Sequence, residues 1–199
     1  MSNKKALTQE RILATALELM SKRGGADVSM GEIATAADLS RQAVYLHFRD
    51  RTDLLLALVR LIDAKSGITD EVGRIGEAPT GTAALEAMVA LQARTNPSIW
   101  PVARALDAVR RKDRAAARAW EDRLKHRLRV CQGIVDRLKQ NGQLRRDLDP
   151  ATATDLLWTL TSFRMWEDLV LDRKWTPKRY QEHVTELLMS FLTNGRTGG

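Results

Sequence analysis

Residues 28–48 read VSMGEIATAADLSRQAVYLHF, and this stretch decides the fold. Ser29 and Glu32 stand three apart, the spacing of a capping box that opens a helix. Ile33, Ala34 and Ala37 give that helix a narrow apolar face able to approach a neighbour closely. Asp38 follows as the turn residue, since Asp tolerates the left-handed conformation better than most non-glycines. Ser40 can cap a second helix with Arg41 and Gln42 on its exposed face, Ala43 beside them, and Leu39, Val44 and Phe48 as its apolar anchors. A helix offering Arg, Gln and a small residue near its N-terminus is what the DNA major groove requires. The stretch reads as a helix-turn-helix.

Working outward, the pattern stays helical in both directions. A first helix is expected over about Thr8 to Arg23, with Ile12, Leu13, Ala16, Leu17 and Met20 on its buried side and Gly24-Gly25 ending it. A fourth runs from near Asp50 to about Lys65, carrying Leu54, Leu55, Leu58, Val59 and Ile62. Residues 66–81, rich in Gly, Thr and Pro, read as a linker or a frayed helix end. Beyond them, Asn96-Pro97, Asp149-Pro150 and Thr176-Pro177 each place an N-cap before a proline suited to the first helical position. Pro101, four residues after Pro97, adds an irregular start or a kink there. These signals predict helices at about 82–94, 98–111, 113–140, 150–172 and 177–193, with stops at Asn141-Gly142 and Asn194-Gly195. The expectation is an all-α, nine-helix, two-domain protein: a DNA-binding domain over 1–49, a connecting helix over 50–66 and a C-terminal helical domain over 67–199, whose roles in effector binding and dimerisation are what the family resemblance given below implies.

With 199 residues, 44% hydrophobic and 29% charged, the chain suits one or two globular domains and not wholesale disorder. The longest apolar run, Leu54 to Val59, is far too short to span a membrane. No apolar signal-peptide core follows Met1, and the single cysteine, Cys131, cannot close an intrachain disulfide; both fit a cytoplasmic protein. The net charge of +7 is unevenly spread: residues 1–66 hold 10 Lys/Arg against 8 Asp/Glu, and residues 67–199 hold 22 against 17. Most of the excess therefore lies outside the reading motif, so the motif and not the charge carries the DNA inference.

The motif closely resembles the DNA-binding domain of the tetracycline-repressor (TetR) family of bacterial regulators, whose pattern runs roughly T-x-x-x-I-A-x-x-A-G-V-S-x-x-x-L-Y-x-H-F-x-[SN]-K-x-x-L. Here Ser29, Ile33, Ala34, Ala37, Asp38, Leu39, Ser40, Val44, Tyr45, His47, Phe48, Asp50, Arg51 and Leu54 occupy the corresponding places. Asp38 stands where the pattern has glycine. Arg51 stands where it has lysine, which keeps the charge but changes the hydrogen-bond geometry. The pairing of Tyr45 with His47 at this spacing makes the likeness specific.

Base contacts are assigned to Arg41, Gln42 and Ala43: Arg to guanine O6/N7, Gln to adenine N6/N7, and a methyl group to the thymine methyl. The resemblance implies that Tyr45 and His47 touch phosphate; the alternative is that they pack against the first helix. Ser29 and Ser40 offer hydroxyls and helix-start amides, Arg51 adds charge, and Lys4 or Lys5 in a flexible arm adds salt-dependent grip. Gly31 stands where some relatives carry a base-reading side chain, so the first motif helix should read little.

Residues 150–193 form two long amphipathic patterns. The resemblance implies that this pair builds an intersubunit four-helix bundle, for which Leu160, Phe163, Val184, Leu187, Leu188 and Phe191 are the interface candidates. A two-fold dimer would hold its reading helices about 34–36 Å apart and read a near-palindromic operator in double-stranded DNA. The resemblance also implies a small-molecule effector cavity. Its candidate lining is Gln92, Trp100, Arg104, Trp120, Trp158, Ser162 and Trp166, although tryptophans at helical spacing serve a core or an interface as readily as a pocket. The basic run from Arg110 to Arg129 invites an anionic effector, but Asp113, Glu121 and Asp122 alternate with its cations, which favours a solvated face.

The sequence shows no nucleophile–base motif, no phosphate loop and no metal-ligand spacing. A non-enzymatic homodimeric regulator without cofactor or metal is expected, acting as a repressor that an effector releases. The rival is an effector-independent, nucleoid-associated DNA binder on the same fold.

Overall fold

The computed structural model describes residues 2–24 and 28–194. Those residues form ten α-helices and one π-helical segment, with no strand among them beyond a single isolated bridge between Leu144 and Thr193. The helices are α1 (Ser2–Lys22), α2 (Met30–Ala36), α3 (Arg41–Tyr45), α4 (Arg51–Ser66), α5 (Ile68–Gly76), α6 (Gly81–Val109), α7 (Arg114–Gln140), α8 (Pro150–Leu160), α9 (Phe163–Trp166) and α10 (Pro177–Leu192); the π segment, Glu167–Asp172, follows α9. No described helix is long and apolar enough to cross a membrane.

The chain divides into two compact units that are discontinuous in sequence. One holds residues 1–66 and 97–122, the other residues 67–96 and 123–199, so α6 and α7 each contribute to both. The core of the first unit collects Ile12, Ala16 and Met20 of α1, Ile33 of α2, Val44 of α3 and Leu54, Leu55 and Leu58 of α4 around Phe48. Val102, Ala105 and Leu106 of α6 and Ala116 of α7 join it. Asp113 caps α7 by accepting from the amides of Ala115 and Ala116 (2.8 and 2.9 Å) and also accepts from Thr52 Oγ1 at 3.0 Å. Asp113 is thus a cap in this unit, which the alternating charge pattern alone did not reveal.

Local signals placed most helix ends. Asp149 accepts from Thr152 N at α8, and Thr176 accepts from Arg179 N at α10, each with proline in the first turn. Gly142, at φ 66°, ends α7 as expected, with Gln143 N donating to Leu138 O at 2.8 Å. The proposed stops at Gly25 and Gly195 lie outside the described residues.

Four expectations are corrected. α1 begins at Ser2, so Lys4 and Lys5 sit in helical turns and not in a flexible arm; Thr8 Oγ1 bonds the Lys4 carbonyl at 2.9 Å. Asn96-Pro97 does not start a helix, because α6 runs through both prolines. Apolar burial on both sides of them (Leu85, Val89 and Leu91 before, Val102 and Leu106 after) outweighs the ~3 kcal/mol an interior proline costs. The 66–81 stretch contains α5, anchored by buried Ile75 and by the ion pair of Glu71 with Arg94. The span 150–172 breaks at Thr161-Ser162, where Ser162 accepts from Met165 N and starts α9, and a π segment completes it.

A close approach holds the second unit together. A Cβ on Gly81 would lie 2.4 Å from the Leu138 amide nitrogen, so only glycine lets α6 start there. The freed amides of that start are taken by side chains near the end of α7: Gly81 N donates to Asn141 Oδ1 (3.1 Å) and Thr82 N to Gln143 Oε1 (3.3 Å).

Candidate nucleic-acid interface

The capping box of α2 is complete. Ser29 Oγ accepts from Glu32 N at 3.2 Å, and the Glu32 carboxylate accepts from Ser29 N and Oγ at 2.8 Å. Arg23, just past α1, reaches the same carboxylate at 2.6 Å. The bond from the Ser29 amide, with those from Arg23 and the Ser29 hydroxyl, pulls the Glu32 pKa down to about 2. This tie fixes the entry of the motif to the end of the first helix.

The turn then follows the sequence. Ala37 closes α2, Asp38 takes φ 51°, and Leu39 N returns to the Ala34 carbonyl at 2.9 Å. Ser40 caps α3 by accepting from Ala43 N at 3.1 Å. Val44 (0% exposed) and Phe48 (2%) pin α3 from below, which leaves Arg41 and Gln42 exposed and Ala43 half-buried. α3 is a single short helix held by its caps and by two apolar anchors. Its presented face is therefore set by packing, not by intrinsic helix propensity.

Tyr45 is 41% exposed, so the alternative in which it packs away against α1 does not describe this structure. The Arg41 guanidinium carbon lies 5.6 Å from the centre of the Tyr45 ring, with Nη2 3.5 Å from the phenol oxygen. This contact orders a side chain that would otherwise sample many rotamers. His47 is half-buried, with Nδ1 enclosed and without a hydrogen-bond partner. Leu46, 75% exposed between the two, was missed by the sequence reading, as was the Arg41–Tyr45 stack, although its i, i+4 spacing was visible. At the start of α4, Asp50 accepts from Asp53 N at 2.8 Å and holds the turn that carries Arg49 and Arg51.

One open depression gathers these groups. Ser29, Met30, Gly31, Arg41, Tyr45 and Arg51 line it together. Four cationic or hydroxyl-bearing side chains beside a glycine make a surface that could admit a phosphate backbone and let Arg41 reach past it.

The effector candidates fall into two groups. Trp100 is buried, packs 3.7 Å from where a Gly24 Cβ would lie, and carries Arg104 5.1 Å from its ring; Arg104 in turn donates to the Gly24 carbonyl at 3.1 Å. These residues, with Trp120 stacked by Arg110 at 5.4 Å, belong to the first unit. Gln92, Trp158, Ser162 and Trp166 belong to the second. There Gln92 Nε2 donates to the Thr161 carbonyl at 3.1 Å, Ser162 caps α9, and Trp166 meets Tyr180 edge-on at 4.9 Å. Of the interface candidates, Val184 and Leu188 are buried within the chain itself, Leu187 is 42% exposed, and Leu160, Phe163 and Phe191 are half-buried. Among the described residues no group of three His, Cys, Asp or Glu could hold a metal ion.

Residues 12–58 match the family described as bacterial regulatory proteins, tetR family. Residues 12–58 thus carry the N-terminal domain of that family. Over 60 residues, 30% of the chain, it is 42% identical to the HTH-type transcriptional regulator AcrR of Shigella flexneri. Such matches span 28% of AcrR and 17% of a second relative from Bacillus subtilis, so they cover less than a third of the curated relatives they match. The TetR likeness in shape extends much further. A transcriptional-regulator candidate from Saccharomonospora viridis, solved with choline, superposes with TM-score 0.79 at 19% identity, covering 95% of this chain and 99% of that one. NalD of Pseudomonas aeruginosa, the secondary repressor of the MexAB-OprM efflux pump, gives 0.70 at 20% identity over 96% and 98%. The all-α, two-domain TetR fold therefore runs through nearly the whole chain. At the turn position of the TetR pattern, Asp38 adopts the left-handed conformation that glycine usually supplies.

Proposed function

We propose that this chain is a homodimeric, sequence-specific DNA-binding transcriptional regulator, a repressor released from a palindromic operator by a small-molecule effector. The observation that carries the reading is the α3 face: Arg41 and Gln42 stand exposed on a doubly anchored helix, with Ser29, Tyr45 and Arg51 around the same depression. Arg41 reads guanine and Gln42 adenine, while Ala43 meets a thymine methyl. Tyr45, His47, Arg51 and the Ser29 and Ser40 helix starts hold the phosphates on either side and set register without specifying sequence.

Dimerisation pairs two such heads. Leu187, exposed on α10, with half-buried Leu160, Phe163 and Phe191, supplies the partner-facing apolar surface in this reading. Residues 1–49 are the reading domain, 50–66 the connecting helix and 67–199 the effector and dimer domain. Effector binding favours a conformer whose heads no longer match successive major grooves. A coupling of about 1–3 kcal/mol weakens operator binding about 5–150-fold. Repression is the mode that NalD carries, and it is the direction proposed here.

The test is operator selection followed by titration. The wild-type protein should bind one palindrome, and Arg41→Ala should lose about 1–3 kcal/mol of discrimination at the guanine it reads. Retained sequence preference in Arg41→Ala would remove α3 from the reading role. Sequence-blind binding by the wild type would favour the nucleoid-associated alternative.

A further inference from the structure

Within the second unit, one cation is half-buried without a counter-ion. Arg127 of α7 sits over the Trp158 ring, its guanidinium carbon 4.4 Å from the centre, and donates to the Trp158 carbonyl (2.6 Å) and the Thr161 hydroxyl (3.4 Å). All of these acceptors are neutral. The ionisable groups that act on it are Cys131 and Tyr180, and burial pushes the Cys131 thiol up to about 11 and the Tyr180 phenol up to about 12, so both are uncharged at neutral pH. Among the described residues no carboxylate pairs with Arg127, and burial lowers its own pKa, the signature of a cation held without compensation.

The groups around it are also unfinished. Trp158 Nε1, Tyr180 Oη and Gln92 Oε1 are enclosed and have no hydrogen-bond partner. Buried polar atoms are normally satisfied, so three orphans linked to one uncompensated cation need an explanation. The orphans stand on α6, α8 and α10 and the cation on α7; Thr161 joins two of them, taking Arg127 on its hydroxyl and Gln92 on its carbonyl. Thr161 sits where α8 stops and α9 has yet to begin.

We propose that this cluster anchors the effector and that the effector is an organic carboxylate, held by the Arg127 guanidinium, the Trp158 N–H and the Tyr180 hydroxyl. The assignment rests on the effector-released reading above. One formal cation matches one carboxylate; a phosphate dianion would leave a buried negative charge in its place. Gln92 Oε1 is an acceptor, and favours a carboxylate that also carries a hydroxyl or N–H. Entry replaces the bonds from Arg127 to Trp158 O and Thr161 with bonds to the ligand. Binding therefore loosens the α8–α9 break, which is the change a regulator needs to transmit.

The test uses the full chain without DNA. Straight-chain carboxylates from butanoate to dodecanoate, phenylacetate, and the primary amide of each are compared by thermal shift and calorimetry, with phenyl phosphate alongside. The expected result is a raised Tm with carboxylates and none with the amides, and binding weakened at least about tenfold in both Arg127→Met and Tyr180→Phe. Tyr180→Phe keeps the ring on Trp166, and its lost hydroxyl has no partner, so its unliganded Tm should stay unchanged. Arg127→Met should hold or raise the unliganded Tm, because it removes an unpaired charge. The proposal is overturned if no carboxylate binds, if amides or phenyl phosphate bind better, or if Arg127→Met lowers the Tm, which would make Arg127 a packing residue. Carboxylate binding that leaves operator affinity unchanged would support the site while sinking the effector-release reading. Operator binding with no carboxylate binding would do the reverse.

Discussion

Glu32 shows how a single side chain can set the stance of the reading motif. Its carboxylate accepts from Ser29 and from Arg23, which ties the start of α2 to the end of α1. Because these bonds lower its pKa from 4.5 to about 2, their contribution is fully present above about pH 4.5 and is lost as pH falls toward 2. Glu32→Gln should therefore melt below the wild type at pH 7, and the gap should close between pH 4.5 and 2. A gap independent of pH would mean that the charge plays no part. At the other end of the motif, Arg41 rests on Tyr45. Tyr45→Phe should keep guanine discrimination because the ring remains. Arg41→Lys should relax it, because an ammonium cannot present two parallel donors. Binding to operator variants with the guanine replaced measures both.

At the scale of elements, the legible parts were those fixed by local chemistry. The Ser29–Glu32 box, the Ser40 cap, the Asp38 turn and the starts at Asp149-Pro150 and Thr176-Pro177 involve neighbours three or four residues apart, and all are present. The illegible parts were decided by distant contacts. Asn96-Pro97 carries the same start signal, yet apolar faces on both sides draw one helix through it. Gly81 looked like a linker glycine, but the Leu138 backbone gives it its role. The candidate interface arose the same way: Arg41 could be named from spacing, whereas its grouping with Gly31 and Arg51 in one depression needed the packed head. Two predictions belong here. Ser40→Ala should cost about 1 kcal/mol by leaving the Ala43 amide unsatisfied, measured by denaturant unfolding. Gly81→Ala should cost at least the ~1–3 kcal/mol of an over-packed core, and an unchanged Tm would show that the α6 start can shift.

Taken whole, the chain pairs a head whose chemistry is spelled out in its sequence with a second unit whose sequence names only its fold. TetR-like shape persists at 19–20% identity over nearly the full length, while the close sequence match stops near residue 58. Under the proposed function that division has a physical cause: a DNA surface would constrain the head, whereas any well-packed helical unit can be built around a different small molecule. In the proposed dimer, two α3 helices read one two-fold site. Selection of operators from a random double-stranded library at ~150 mM salt, where non-specific phosphate binding is weakened, tests it most directly. One enriched near-palindrome is expected, with half-site centres about 10 base pairs or a multiple of that apart. Recovery of unrelated sequences, or of a single half-site without its mirror image, would contradict it.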